Sequence, residues 1–337
     1  MQEQTFTLKK SGIVLDENQA QLQRYKMGKL LIFACFFMYT ISMAAKGVFA
    51  AETKFLIDLW DLTQAEAQMA NTYYFVLYGI VQIFMFIFMS KINIRKYIIC
   101  TVPVAALFSA LMGFVTGIEG MWIFFGLNGI FQAGIYCGCN YTLTRFLPEK
   151  LMPTANKFMN IGYATGTVIA YFMSAIFIGL SLWRPPYVVI GILFLVSVII
   201  FAIVTNRANE YEQINLVLDR KERQSINVQS SDTNHIVNDY PLFTVENNRR
   251  RAVFYVIVLV MTFLMTSLYY SVMNFMTSML VEVHNMPQDI SIYVSILAPI
   301  TISIGPIIAI NRCEKHKDYI KEAIVFALVL LLVFSFF

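Results

Sequence analysis

Lys46 is the residue whose position most demands a chemical explanation. It lies 17 residues beyond Lys29 with no charged residue between them, roughly 25 Å along a helix. A cation at that depth in lipid costs at least about 2.5 kcal/mol, so the default reading is that it faces a water-filled cavity and attracts an anion. The competing reading is a lysine snorkelling to the outer interface near Glu52 and Lys54. A second group, Asn128, Gln132, Tyr136 and Asn140, recurs at every fourth residue, which lines it along one face of a helix. Amides and hydroxyls facing lipid would leave donors unsatisfied. That stripe therefore either lines the cavity or bonds neighbouring helices. A third group combines Tyr269, Tyr270 and Asn274, with Tyr270 and Asn274 on one face. Tyr39, Tyr74, Tyr78 and Gln82 are weaker candidates, the last three again sharing one face. Glu52 reads either as a proton-coupling carboxylate or, preferably, as a solvated acid near the outer end beside Lys54.

The elements that must position these residues follow from composition. Of 337 residues, 58% are hydrophobic and 14% charged, against about 25% charged in a soluble domain. An ordinary cytosolic enzyme is excluded, and the expected solvent is the lipid bilayer. A net charge of +4 spread over loops also argues against a nucleic-acid partner. Runs of about 20 apolar residues mark membrane spans. They fall near 29–57, 70–90, 97–117, 120–144, 155–179, 186–205, 252–280 and 289–311, and a ninth run, 323–337, is too short to cross. The expected fold is thus an all-α integral membrane protein with a six-helix bundle over 29–205 and a partial carboxy-terminal bundle over 252–337. On this reading the chain is carboxy-terminally incomplete.

Orientation follows from the basic residues, which the cytoplasmic side retains. All 25 Lys and Arg except Lys46, Lys54 and Arg184 fall within or at the edge of the tail before the first span, the connections after the second, fourth and eighth, or the 206–251 segment. The expected location is the cell membrane, multi-pass, with residues 1–28 as a cytoplasmic tail. The 206–251 segment reads as a cytoplasmic linker whose first part, 209–223, is an amphipathic surface helix and whose second part is flexible. Thr63 and Glu66 form a capping box that starts the second span. The five cysteines are read as small core residues, because none has the partners of a zinc site. No Gly-rich phosphate loop is present, so ATP is not the expected energy source. Neither a metal nor another cofactor is expected.

Several residues, taken in order and spacing, resemble the major facilitator superfamily, and within it the organophosphate/phosphate antiporter branch with its sugar-phosphate transporters. Tyr78-Gly79 leads to Ser90-Lys91, where the superfamily has its signature hairpin. Phe131-Gln132 is followed by small residues through Cys139. Asn160, Gly162 and Gly166 match an Asn/Gly packing pattern, and Trp183-Arg184 with Tyr187 resembles the branch's start of the sixth span. The resemblance covers residues 30–337 and implies a secondary active transporter of a small organic anion, phosphate esters included, working by alternating access. A proton or phosphate would be the coupling ion. The branch places an arginine in the first and in the seventh span, both facing the cavity. In register with them stand Lys46, a point charge, and Tyr269, a single hydroxyl. Two other function classes compete: a membrane sensor or interaction protein that has lost transport, and an inactive truncated transporter.

Overall fold

A computed structural model describes residues 6–7, 14–89, 91–231 and 275–297, together with single positions between 256 and 312. A two-residue antiparallel ladder, β1 (Phe6–Thr7) with β2 (Val14–Leu15), precedes the helices. These are α1 (Glu17–Trp60), α2 (Gln64–Phe88), α3 (Ile94–Met112), α4 (Ile118–Gln132) and α5 (Ile135–Phe146). After a single 3₁₀ turn, Glu149–Leu151, come α6 (Met152–Gly179), α7 (Pro185–Ala208) and α8 (Glu212–Ser231). Residues 275–282 form α9, and Gln288–Ser295 form α10.

Local chemistry sets the ends of these helices. Asp16 accepts the Gln19 amide at the start of α1, Asn93 accepts that of Lys96 at the start of α3, and Thr63 with Glu66 closes the expected capping box at α2. Asp61 ends α1 in the left-handed region at φ 49°, a conformation that Asp tolerates better than most residues. Pro185 and Pro186 open α7, where their missing N–H groups cost nothing.

Three elements differ from the sequence-based expectation. The first helix is continuous for 44 residues, roughly 66 Å, so its opening turns extend beyond the apolar layer. The fourth span is not one helix: it turns at Ala133–Gly134 between α4 and α5, where the Tyr97 ring fills the space that a side chain on Gly134 would occupy. The linker helix runs on through Ser231, because nothing from 224 to 231 is Gly or Pro to stop it.

Five described stretches are long and apolar enough to cross a membrane: α1, α3, α4 with α5, the 3₁₀ turn with α6, and α7. The 25-residue α2 makes a sixth by its length of roughly 37 Å. It exposes Ile80, Ile83, Phe84 and Ile87 along an outer face, as a lipid-facing helix should. The bundle pairs α1 with α6, α2 with α4, and α3 with α7. Close approach rests on glycine at the crossings. A methyl group on Gly166 would run into the Thr40 carbonyl oxygen and come within 2.7 Å of the Met43 Cβ, and one on Gly129 would come within 2.7 Å of the Tyr74 carbonyl oxygen. The apolar core, with Phe49, Phe125, Phe194 and Phe201 fully buried, lies between these pairs.

At the end of the bundle that carries most of the basic residues, α8 folds back on the opening turns of α1. Ile214 and Leu218 cluster with Ala20. Arg24, 1% exposed, donates to Asp219 at 2.7 Å, and Lys221 pairs with Glu17 at 3.0 Å. The Arg145 guanidinium meets Glu212 at 2.7 Å, and the Asn215 amide donates to the Phe146 carbonyl. Removing one member of a buried ion pair costs about 3–5 kcal/mol, because the other is left uncompensated. Arg24→Ala should therefore release α8 while the spans stay folded. Limited proteolysis should show cleavage within 212–231 accelerated at least tenfold, since the rate follows the population of the open form.

Candidate functional site

The site is built on α1, whose residues Tyr39, Ser42 and Lys46 recur at i, i+3 and i+7 and so share one face. Opposite that face, α2 supplies Tyr74 and Tyr78 one turn apart. The Lys46 ammonium sits 4.2 Å from the centre of the Tyr78 ring and 5.7 Å from that of Tyr74. Both distances are within reach of a cation–π attraction. Lys46 is half-buried and lies 14 residues before Trp60, roughly 21 Å along the helix. It is well inside the apolar layer, and no carboxylate among the described residues pairs with it. Two π faces hold the charge in place without neutralising it.

The side of the site away from Lys46 is a chain of hydrogen bonds. The Ser42 hydroxyl donates to Gln132 Oε1 at 2.9 Å, and the Tyr74 hydroxyl donates to the same atom at 3.3 Å. The Gln132 amide donates to Asn128 Oδ1, and Asn128 Nδ2 donates to the Ala105 carbonyl at 3.0 Å. Four helices, α1, α2, α3 and α4, are thereby linked through one buried polar chain. Tyr74 belongs to both systems: its ring faces Lys46, stacks on Phe125 at 4.4 Å, and carries the hydroxyl that bonds Gln132.

The turn at Ala133–Gly134 divides the stripe that the sequence places on one face. Asn128 and Gln132 are buried at 1% exposure and bond across helices. Tyr136 is 38% exposed, with its ring 5.1 Å from that of Tyr39. Asn140 is half-buried on α5. Gln82, weaker in the sequence, bonds the Cys137 sulfur at 3.8 Å. Tyr269, Tyr270 and Asn274 lie outside the described residues. Cys35 and Cys139 face each other across α1 and α5, each sulfur near the other's carbonyl, whereas Cys100 is exposed.

Glu52 departs from its solvated reading. It is fully buried, its Oε1 accepts the Ser174 hydroxyl at 3.0 Å, and the buried Tyr187 hydroxyl lies beside it. The reason is helical phase. Two residues along α1 turn by about 200°, so Glu52 faces α6 and α7 while Lys54 faces outward and pairs with Asp58 and Glu282 at 3.2 Å each. Sequence proximity suggested a Glu52–Lys54 relation that the helix forbids. Ser42 and Asn71 were also missed as buried polar residues; the i, i+4 spacing of Ser42 and Lys46 was the available signal for the first.

A family model for the Major Facilitator Superfamily matches residues 30–337. The chain belongs to the major facilitator superfamily. Its fold is that of a multi-pass membrane protein, and the family is one of transporters rather than enzymes. A solved structure of a bacterial homologue of the human lysosomal transporter Spinster, inward-facing and unoccupied, matches with a TM-score of 0.53 at 16% sequence identity. The match covers 86% of this chain and 63% of that one, so the superfamily chain described here spans under two thirds of that neighbour's length. At such identity the likeness is one of fold. No curated protein matches the sequence.

Proposed function

We propose that this superfamily member is a secondary active transporter of a small organic anion, with phosphate esters as the favoured class, working by alternating access between two bundles. The observation that carries the reading is Lys46: a mid-span cation held over two tyrosine faces, with no described carboxylate to neutralise it. Lys46 is half-buried and keeps part of its surface open. The hydrogen-bonded chain through Ser42, Gln132 and Asn128 fixes the helices that flank it. Tyr78, Tyr136 and Asn140 are the described residues proposed to line the cavity beside it. Tyr269, Tyr270 and Asn274 are proposed to complete it from the seventh span. The sequence resemblance to the organophosphate/phosphate antiporter branch favours exchange, with phosphate or a proton as the coupling ion. Counterflow in proteoliposomes tests this. Preloaded phosphate ester should drive uptake of labelled phosphate ester, and the uncharged parent alcohol should not. Equal exchange of charged and uncharged solutes would contradict an anion site.

The same reading divides the chain into an amino-terminal bundle (29–205), a cytoplasmic linker (206–251) and a carboxy-terminal part (252–337) in the cell membrane. It places the amino terminus in the cytoplasm, on the strength of the basic-residue asymmetry. Single cysteines at Ser230 and Asp61 in a Cys-free background should react with an impermeant thiol reagent from opposite sides. Only the Asp61 position should label in intact cells. Labelling of Ser230 from outside would reverse the topology.

A further inference from the structure

At the basic end of the bundle, separate from Lys46, a cavity of about 200 Å³ opens between the start of α3, the end of α5 and the end of α7. Its polar lining includes Asn93, Arg95, Tyr141, Arg145, Thr205 and Asn209. No carboxylate lines it. Glu212, which is not among the lining residues, engages Arg145 Nε at 2.7 Å and so orients that guanidinium. Arg95 donates one terminal nitrogen to the Ala202 carbonyl at 3.2 Å, but its Nε is buried with no hydrogen-bond partner. A buried donor on a charged group left unpaired is costly, and it marks a position where an acceptor belongs. The cavity also lies at the amino-terminal end of the 19-residue α3, whose dipole favours negative charge there. Above it, α7 exposes Ile199 and Ile203 to the lipid side. The opening therefore sits where apolar surface gives way to polar loops.

We propose that this cavity is a binding site for a phosphate group, held by Arg95 and Arg145 with the Tyr141 hydroxyl and the Asn93 amide as further donors. Two guanidiniums at an apolar–polar border are the arrangement that takes an anionic lipid headgroup. A soluble phosphate would satisfy the same donors. Bound there, the ligand bridges α3 to α5, and through Arg145 and Glu212 it is coupled to α8.

The protein in nanodiscs of phosphatidylcholine doped with phosphatidylglycerol supplies the first arm of the test. Native mass spectrometry should show retained phosphatidylglycerol, enriched at least tenfold over phosphatidylcholine relative to their abundance. Arg95→Gln should reduce that enrichment by about tenfold or more, Arg95→Lys should keep part of it, and Lys46→Gln should leave it unchanged. In the second arm, inorganic phosphate is titrated against thermal unfolding in pure phosphatidylcholine. Arg95-dependent protection there, without lipid enrichment, would assign the site to a soluble phosphate. Arg95→Lys also guards against misfolding, since it keeps the charge that Arg95→Gln removes. Enrichment and protection both insensitive to Arg95→Gln, or both absent in the parent, would overturn the proposal. Because lipid enrichment does not involve Lys46, and phosphate protection is scored only by its dependence on Arg95, failure of this site is separable from failure of the transport reading.

Discussion

Lys46→Gln should weaken binding of a small organic anion roughly 10- to 150-fold while leaving the protein folded. The substitution keeps a hydrogen-bonding group of similar length but removes the charge, and a charge-assisted hydrogen bond contributes about 1.5–3 kcal/mol, with each 1.4 kcal/mol worth tenfold. Folding should survive because the lysine pairs with ring faces rather than with a buried carboxylate, so no partner charge is stranded. Lys46→Arg should retain binding, and should favour phosphate esters if a guanidinium fits, since its planar fork matches two phosphate oxygens. Isothermal titration of purified protein with a phosphate ester reads both variants. An unchanged dissociation constant for Lys46→Gln would identify Lys46 as a residue that merely packs on tyrosines.

Gly166→Val should be the most damaging single change in the helical bundle. The Cβ it adds meets the Thr40 carbonyl oxygen, the Met43 Cβ and the Ala44 amide nitrogen of α1. Two of these three atoms are backbone, which cannot rotate away. Over-packing costs about 1–3 kcal/mol in soluble cores and occasionally more, and here α1 must shift away from α6. Because α1 carries Lys46, the displacement reaches the site as well. Thermal unfolding in detergent should drop by several degrees and ligand binding should weaken together with it. Gly79→Ala is the matched control. Nothing lies within 4 Å of the added atom, and alanine is the better helix former by about 0.5–1 kcal/mol. That variant should be neutral or slightly stabilised. Equal melting temperatures for the two would show that the α1–α6 crossing is not set by glycine.

The legibility of this fold in its sequence varies from element to element. The first six spans were readable because a run of about 20 apolar residues satisfies its own backbone in lipid as a helix, whereas the expected seventh run lies largely, and the ninth wholly, outside the described residues. The α2 start was readable because Thr63 and Glu66 satisfy each other's orphan groups locally. Gly162 and Gly166 could be recognised as a packing pattern, but only the structure identifies α1 as the helix they admit. The turn at Gly134 was hidden: the Tyr97 ring of another helix packs where a side chain there would lie, and no hydropathy profile registers that. Lys46 stood out because a lone intramembrane cation is rare. Its tyrosine neighbours lie 28 and 32 residues on, and their spacing suggested a shared face without saying what it would meet. Glu52 was misplaced because linear proximity to Lys54 outweighed the helical phase that separates them. Longest in reach was the α8 contact, since Arg24 and Asp219 are 195 residues apart. Only the charge pattern of 209–223 hinted that the segment would lie on a surface.

The central claim is that the positive charge of Lys46, and not the shape of its surroundings, selects the substrate. A cycle in which charge is removed from the protein and from the ligand separately isolates that term. Dissociation constants would be measured for a phosphate ester and its uncharged parent alcohol, with the parent protein and with Lys46→Gln. The account predicts that the parent protein prefers the charged ligand at least tenfold and that Lys46→Gln abolishes most of that preference while hardly changing the alcohol. The same preference in both proteins, or none in either, would contradict it.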